Sequence, residues 1–270
     1  MNDSVEFAKK IRTTALKMVA HAKASHIGSA FSIADLVAVL YTRILNINLA
    51  DPDFRDRDRL ILSKGHACSI LYAALNQLGW VSDDLIDKYG DDFSPLMTHI
   101  SHKVPGVEFS TGSLGHGLPF GTGKALAAKI ENSSWRTLVI LSDGEMDEGS
   151  NWEALMFAAH HKLDNLIAMI DYNKLQSLGT VASTLGLEPL AAKLAAFGWS
   201  VREVDGHDHQ EIYENLATVP WETGKPSVLI AHTTKGKGVS FMENTVEWHY
   251  KSPSPEQLEK ALIEVGASNA

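Results

Sequence analysis

Two apolar runs, each ending in a polar tip and separated by the length of one helix, limit the architecture of this chain. The run "TLVILS" leads into Asp143, and the run "NLIAMIDYN" ends at Asn173. The tips are 30 residues apart (173 − 143), which matches one strand–helix–strand crossover. Because such crossovers are right-handed, we expect two neighbouring parallel strands with both tips at the same edge of one sheet.

The same alternation extends along the chain. Helical patterns occupy about 5–21, about 32–45 after the break "SHIGSAFS", about 67–78 and about 151–162. Further strands are predicted at "RDRLILS", "WSVREVDG" and "PSVLIAHTT". Strands that alternate with helices at this spacing predict an α/β fold, with a mainly parallel sheet and helices on both faces. In such sheets ligands bind beyond the carboxyl ends of the strands.

Two further segments complete the expected organisation. Residues 81–110 predict a short helix and then a long loop, and loops of that length are usually functional or disordered. Ser254, Pro255 and Gln257 have the spacing of a capped helix start. We find no repeat or linker, so we expect a single domain over 1–270.

Composition and charge restrict the ligands. The chain has 270 residues, is 44% hydrophobic and carries a formal charge of −9, which argues against nucleic-acid and anionic-membrane partners and favours small molecules or proteins. Its single cysteine, Cys68, cannot form an internal disulfide and is expected to be a small buried residue. With no signal-peptide pattern at the N-terminus and no run long enough to span a bilayer, a cytoplasmic location is expected.

The acidic stretch "SDGEMDEGSNWE" allows three interpretations: a calcium loop, a solvated turn or half of a phosphate site. A calcium-binding EF-hand loop needs Gly at its sixth position and Glu at its twelfth, where this chain has Glu148 and Ala154 counting from Asp143. A solvated acidic turn is the commoner meaning of such a charge run. However, Asp143 and Gly144 directly end the strongest apolar strand, which is the ligand edge of the predicted sheet.

Asp143, the amide oxygen of Asn173 and a neighbouring backbone carbonyl together form half a shell of hard oxygen ligands. Mg²⁺ prefers such ligands and usually completes its shell with water and substrate phosphates. Gly144 allows a phosphate to approach the backbone, and the helix that follows has free N–H groups at its start. The implied ligand is therefore a diphosphate.

The segment "SDGEMDEGSNWEALMFAAHHKLDNLIAMIDYNKLQ" resembles the thiamine-diphosphate signature, in which Gly-Asp-Gly is followed after roughly thirty residues by Asn; Ser142 replaces the first glycine. The segments "SHIGSAFSIADLVAVLY", "LSKGHACSILYAAL", "GVEFSTGSLGHGL" and "VEWHY" resemble the N-terminal half of transketolases, in family order. The chain closely resembles the short, separately encoded N-terminal subunit of split transketolases. This resemblance implies a thiamine-diphosphate-binding fold.

The resemblance also implies roles for individual residues. The ligands of Mg²⁺, or of another divalent cation such as Ca²⁺ or Mn²⁺, are expected to be Asp143, Asn173 and the carbonyl of Leu175. The expected contacts to thiamine diphosphate are His66, Gly112, Ser113, Leu114, Asp143, Gly144, Glu145, Asn173 and His249. The expected catalytic histidines of the substrate channel are His26, His99 and His249.

The sequence leaves the roles of some residues open. His102 is the alternative to His99, and His116 replaces the glutamine usual in the family. Any one of the 12 histidines taken alone is more often a surface or packing residue than a site residue. Glu148 and Glu153 match acidic positions near the family's subunit contact, but solvated carboxylates at a helix start fit equally well. Trp152 and Met156, four apart on one helix, are expected to be core.

By resemblance, the chain is an N-terminal transketolase subunit that moves a two-carbon ketol unit from a ketose phosphate to an aldose. A separate C-terminal subunit is expected to supply the activating glutamate and the sugar-phosphate contacts. The chain alone should then bind magnesium and thiamine diphosphate weakly and transfer nothing. An α2β2 heterotetramer is expected, since closed two-fold assemblies predominate.

Three other functions remain to be separated from this one. An α-type subunit of a 2-oxo acid dehydrogenase shares the Asp-Gly and Asn spacing and would bind a lipoyl-bearing partner. A pyruvate and sugar-phosphate synthase component would decarboxylate pyruvate. A non-catalytic, cofactor-binding regulatory subunit belongs to another class, and calorimetric titration with magnesium and cofactor addresses it.

Overall fold

The computed structural model describes residues 3–266, and a parallel five-stranded sheet lies at its centre. The strand order is β1-β2-β3-β5-β4, and each neighbouring pair is parallel. The strands are β1 (Arg59–Leu62), β2 (Thr137–Ser142), β3 (Leu166–Tyr172), β4 (Ser200–Asp205) and β5 (Ser227–His232). All the predicted strands are confirmed, and so is the α/β class.

Helices cover both faces of the sheet. Alternation along β2 directs Leu138 and Ile140 into one apolar cluster and Val139 and Leu141 into a second cluster on the other face. The helices are α1 (Ser4–His21), α2 (Ile27–Ser32), α3 (Ala34–Val39), α4 (Cys68–Gln77), α5 (Asp83–Ile86), α6 (Gly117–Ile130), α7 (Gly149–His160), α8 (Val181–Thr184), α9 (Leu190–Ala196), α10 (His209–Leu216) and α11 (Pro255–Glu264). Within residues 3–266, no helix combines the length and apolarity that a bilayer crossing requires.

Strands β2 and β3 are neighbours, as the spacing of their tips predicts. Ser142 pairs in register with Asp171, so Asp143 and Asn173 follow the two strands at the same edge of the sheet. The start of α11 is also confirmed: Ser254 and Gln257 form a reciprocal capping box with Pro255 in the first turn. Cys68 is buried.

Two sequence predictions were wrong. The predicted break "SHIGSAFS" contains α2, all six residues of which are buried; Gly28 lies so close to the chain that an added Cβ would be 3.2 Å from the Trp248 carbonyl oxygen. Small side chains here therefore permit close packing and do not mark a loop. Met156 is 55% exposed, because the buried positions of α7 are on the opposite side of the helix. Trp152, by contrast, is partly buried against the core.

Candidate functional site

The loop after β2 is tied to the loop after β3 through Asp143. Its carboxylate is 1% exposed and accepts hydrogen bonds from the backbone N–H groups of Gly144 (2.7 Å) and Lys174 (2.5 Å). Burial, followed by the nearby charge of Asp171, raises the pKa of Asp143 to about 7. A cation bound at this position would offset the cost of burying the charged form.

The side-chain amide of Asn173 has a fixed orientation. Its Nδ2 donates to Ser32 Oγ (3.2 Å) and to Asp171 Oδ2 (3.1 Å), and its Oδ1 accepts from the Leu175 N–H (3.0 Å). Since an ionised carboxylate only accepts, Asp171 determines which end of the amide is nitrogen. The oxygen is thereby directed away from Asp171 and towards the 173–175 segment.

Asp171 is itself fully buried and accepts from Lys64, Ser32 and Thr233. Burial alone would raise its pKa, but the charge and hydrogen bond of Lys64 outweigh burial and lower the pKa below its usual value. Asp171 therefore remains an anion that orients Asn173.

Beyond these strand ends lies a cavity of about 260 Å³, called the site cavity below. Asp143, Gly144, Asn173 and Leu175 line one part of it. These are all of the expected metal ligands, together with the glycine expected at the diphosphate. The structure thus brings this group of predicted residues together around one space.

Four histidines line the site cavity as a cluster. The ring of His26 lies 5.1 Å from that of His66, 5.6 Å from that of His99 and 5.0 Å from that of His249, measured between centroids. His26 adopts a left-handed backbone with φ 75°, at the residue before α2. Burial, followed by neighbouring positive or histidine groups, lowers the pKa of His26 to about 4 and that of His249 to about 3. These two rings are therefore neutral at physiological pH and can both donate and accept one hydrogen bond.

The structure places His99 at the site cavity and both His102 and His116 at the surface. His99 lines the site cavity, whereas His102 is exposed and contacts Ser110 Oγ through Nδ1 (2.6 Å). His116 is also exposed, and its Nδ1 contacts the Leu114 carbonyl (2.9 Å).

The glycine-rich loop, residues 111–116 directly before α6, lines the site cavity only in part. Gly112 and Leu114 line it, while Ser113 is exposed and does not. An added Cβ at Gly112 would lie 3.3 Å from His99 Cδ2, so the absence of a side chain keeps space at this wall.

Glu145 was expected to contact thiamine diphosphate, and the structure shows that its side chain makes its hydrogen bonds within the protein. Glu145 is 0% exposed and does not line the cavity, because a single 3₁₀ turn after β2 directs its side chain inward. Its carboxylate accepts from Ser63 Oγ (2.5 Å) and the Gly115 N–H (2.9 Å). It therefore holds the glycine-rich loop against β1. Ser142 contributes to the same turn, since its Oγ accepts from the Glu145 N–H (3.2 Å).

Sequence reasoning missed two buried lysines of the site cavity, Lys64 and Lys235, each 1% exposed. Lys235 Nζ donates to the carbonyls of Leu175 (3.1 Å) and Gln176 (2.9 Å) and lies 3.1 Å from His249 Nδ1. Burial, and then the charge of Lys64, lowers the pKa of Lys235 to about 8. Lys64 lies two residues after the end of β1, so a search for polar residues just beyond strand ends, which selected Asp143, could have found it.

The donor set fits a hard divalent ion together with an anionic group. In residues 3–266, no three His, Cys, Asp or Glu side chains group as a metal site, so an ion here would rely on one carboxylate plus amide and carbonyl oxygens. Two buried lysines, Lys64 and Lys235, line the same cavity, and so does Gly144, which has no side chain. Such a set suits a metal-bound diphosphate.

The family model described as "Transketolase, thiamine diphosphate binding domain" matches residues 4–268. The chain belongs to the transketolase family. It is 41% identical to an apulose-4-phosphate transketolase subunit of Phocaeicola vulgatus, over 96% of this chain and 92% of that protein. It is 38% identical to a 6-deoxy-6-sulfo-D-fructose transketolase subunit of Clostridium sp., over 97% of this chain and 96% of that subunit.

The fold of this transketolase chain is also found in solved structures. The transketolase of Campylobacter jejuni superposes with a TM-score of 0.93 at 30% identity and covers 98% of this chain. The chain spans 43% of the length of that enzyme, whereas it spans nearly all of the two relatives that are named as subunits. It therefore corresponds to the N-terminal, thiamine diphosphate-binding part of a transketolase. Glu148 and Glu153, expected either at a subunit contact or in solvent, are exposed here, which fits both.

Proposed function

We propose that this transferase chain works with a separate C-terminal transketolase subunit to move a two-carbon ketol unit from a ketose phosphate to an aldose. The observation that carries the proposal is the convergence of Asp143, Asn173 and Leu175 on a cavity that four histidines also line. The oxygen donors and buried lysines of this cavity suit a diphosphate, and its histidines suit a polyhydroxy substrate. Both relatives compared above are named as transketolase subunits, which gives no support to the dehydrogenase, synthase or regulatory alternatives.

On this proposal, the diphosphate end of the cofactor is held by the strand-end residues. Asp143, the Oδ1 of Asn173 and the carbonyl of Leu175 would hold Mg²⁺, which would offset the negative charge of the diphosphate. Gly144 leaves room for the phosphate, and the ammonium of Lys235 offsets its charge. Further diphosphate contacts come from His66 and His249.

The remaining residues act on the ring end and on the substrate. Gly112 and Leu114, which line the cavity, together with the neighbouring Ser113 would lie against the aminopyrimidine ring. When bound, thiamine diphosphate supplies a nucleophilic carbon and an electron sink for ketose cleavage. His26, His99 and His249 bind the sugar hydroxyls and exchange protons with them, since a neutral imidazole offers one donor and one acceptor.

The partner subunit is proposed to complete the site. The names of the relatives as subunits, and the 43% share of a longer transketolase, support a second chain that carries the activating glutamate and the sugar-phosphate contacts. We propose an α2β2 heterotetramer, by the preference for closed two-fold symmetry. Residues 1–270 are proposed to be one diphosphate-anchoring domain. The cytoplasmic location expected from the sequence stays a prediction, supported by the single cysteine.

The first prediction concerns activity in the two-chain system. The purified chain, its partner subunit and their mixture are assayed with Mg²⁺, thiamine diphosphate and a panel of ketose phosphates. Transfer is expected only in the mixture, because on this proposal the partner subunit supplies the activating carboxylate. A mixture that contains the Asp143→Asn variant should be inactive, while the exposed Glu259→Gln variant on α11 serves as the control. Sustained turnover by the chain alone would refute the division of labour.

A further inference from the structure

The ammonium of Lys235 shares a carbonyl oxygen with the proposed metal site. Its Nζ donates to the Leu175 carbonyl at 3.1 Å and to the Gln176 carbonyl at 2.9 Å. Leu175 is the residue whose carbonyl is expected to bind the divalent ion. The side chain of Lys235 is 1% exposed, so water does not screen it from this oxygen.

Within residues 3–266, Lys235 has no carboxylate as an ion-pair partner, whereas the other buried lysine of the cavity, Lys64, is paired with Asp171. A buried charge that contacts only neutral groups is costly. An anion that enters the site cavity would reduce that cost, and a diphosphate is such an anion.

A divalent ion has the opposite effect on Lys235. An ion about 2.1 Å from the Leu175 carbonyl oxygen would lie at most about 5 Å from Nζ, because Nζ is 3.1 Å from the same oxygen. Repulsion between a double and a single positive charge at this separation is strong even at an effective dielectric constant of about 20. A diphosphate placed against both cations adds an attraction to each, and these two attractions outweigh the repulsion.

We propose that Lys235 makes the site selective for a metal–diphosphate complex over the free divalent cation. The ammonium disfavours metal alone at Asp143, Asn173 and Leu175, and it contributes attraction once a diphosphate is present. This inference rests on the proposed function, since it concerns the same metal site. It assigns to Lys235 opposite effects on two ligands of one cavity.

Removal of the Lys235 charge should therefore change the two affinities in opposite directions. Mn²⁺ binding to the full chain is measured from the electron paramagnetic resonance of the free ion, with Mn²⁺ alone and with Mn²⁺ plus inorganic diphosphate. In Lys235→Met, Mn²⁺ alone should bind about tenfold more tightly and the Mn²⁺–diphosphate complex about tenfold more weakly. In a double variant that also carries Asp143→Asn, the tighter binding of Mn²⁺ alone should be lost. This loss would locate the ion at the Asp143 site.

Lys237→Met is the matched control. This change removes the same charge two residues along the same loop, but the Lys237 side chain is 40% exposed and its Nζ lies 3.9 Å from Glu243 Oε1. Both affinities of this variant should equal those of the wild type. A change of equal size in Lys237→Met would show a general effect of net charge and would overturn the proposal.

Unchanged or weaker binding of Mn²⁺ alone in Lys235→Met also overturns it. If Lys235→Met melts early, Lys235→Gln replaces it, and the wild type gives an independent test: Mn²⁺ alone must bind at least about tenfold more weakly than Mn²⁺–diphosphate. Equal wild-type affinities refute the inference. If the wild type binds neither Mn²⁺–diphosphate nor thiamine diphosphate with Mg²⁺, the proposed function fails as well. If the wild type binds both of these ligands but the Lys235 variants have the same affinities as the wild type, the inference alone fails.

Discussion

At the scale of residues, two neighbouring carboxylates show how surroundings separate chemical roles. Asp171 and Asp143 lie at the same sheet edge and are both buried, yet their pKa values move in opposite directions. Burial raises both, but Asp171 receives the charge and hydrogen bond of Lys64, and Asp143 accepts only two backbone N–H groups. Asp171 is therefore satisfied within the protein, and Asp143 is left to gain from a bound cation.

The histidine cluster gives a prediction at this scale. Burial lowers the pKa of His26 to about 4 and of His249 to about 3, so both rings should remain neutral between pH 8 and about pH 5. Their imidazole C–H resonances in the NMR spectrum should therefore not shift over this range. A midpoint between pH 6 and 7 for His26 or His249 would contradict the argument.

The same shifts predict how stability depends on pH. Because these pKa values are lower in the folded than in the unfolded chain, the unfolded chain binds protons first as pH falls. The contribution of the two rings to stability is complete above about pH 6.5 and decreases towards pH 4.

At the scale of elements, α6 follows the glycine-rich loop and packs on β2. An added Cβ at Gly121 would lie 2.7 Å from Val139 Cγ2, while one at Gly123 would meet nothing within 4 Å. Gly121 is therefore required by close packing of the helix on the strand, and Gly123 is not. The two positions form a matched pair on one helix.

Alanine at these positions should have opposite effects on the free energy of unfolding. Gly121→Ala forces the helix or Val139 to move and should destabilise the chain by about 1–3 kcal/mol. Gly123→Ala removes only the flexibility of glycine in a helix and should stabilise it by about 0.5–1 kcal/mol. Urea unfolding followed by circular dichroism measures both, and a shift of the same sign would refute the packing argument.

The positions of the strands and of the α11 start were easier to predict from the sequence than the way side chains pack. The apolar runs and the Ser254 cap contain their own signals, so the strands and the start of α11 follow from the sequence. Helix α2 was missed because Gly28 and its small neighbours look like a turn; only the proximity of the Trp248 backbone explains them. Met156 repeats at helical spacing with Trp152, but which side of α7 meets the sheet depends on distant contacts.

At the scale of the whole molecule, the sheet gathers residues that are far apart in sequence into one cavity. The polar residues that follow the predicted strands identified Asp143 and Asn173 as candidate ligands. The family resemblance added the histidines. Lys235 was missed because a lysine is rarely buried and nothing local marks this one as an exception. Lys64 was missed although its position just after β1 is a local signal. The inward direction of Glu145 was equally hidden, since a single 3₁₀ turn decides it.

The central claim is that the ends of β2 and β3 hold a divalent ion which binds the diphosphate of the cofactor. Its most direct test is a crystal structure of the chain with its partner subunit, thiamine diphosphate and Mn²⁺, with the ion located by anomalous scattering. We predict a peak about 2.1 Å from Asp143, from Oδ1 of Asn173 and from the carbonyl oxygen of Leu175, with diphosphate oxygens on its open side. An ion and a diphosphate bound elsewhere, with these three oxygens not in contact with metal, would contradict the account.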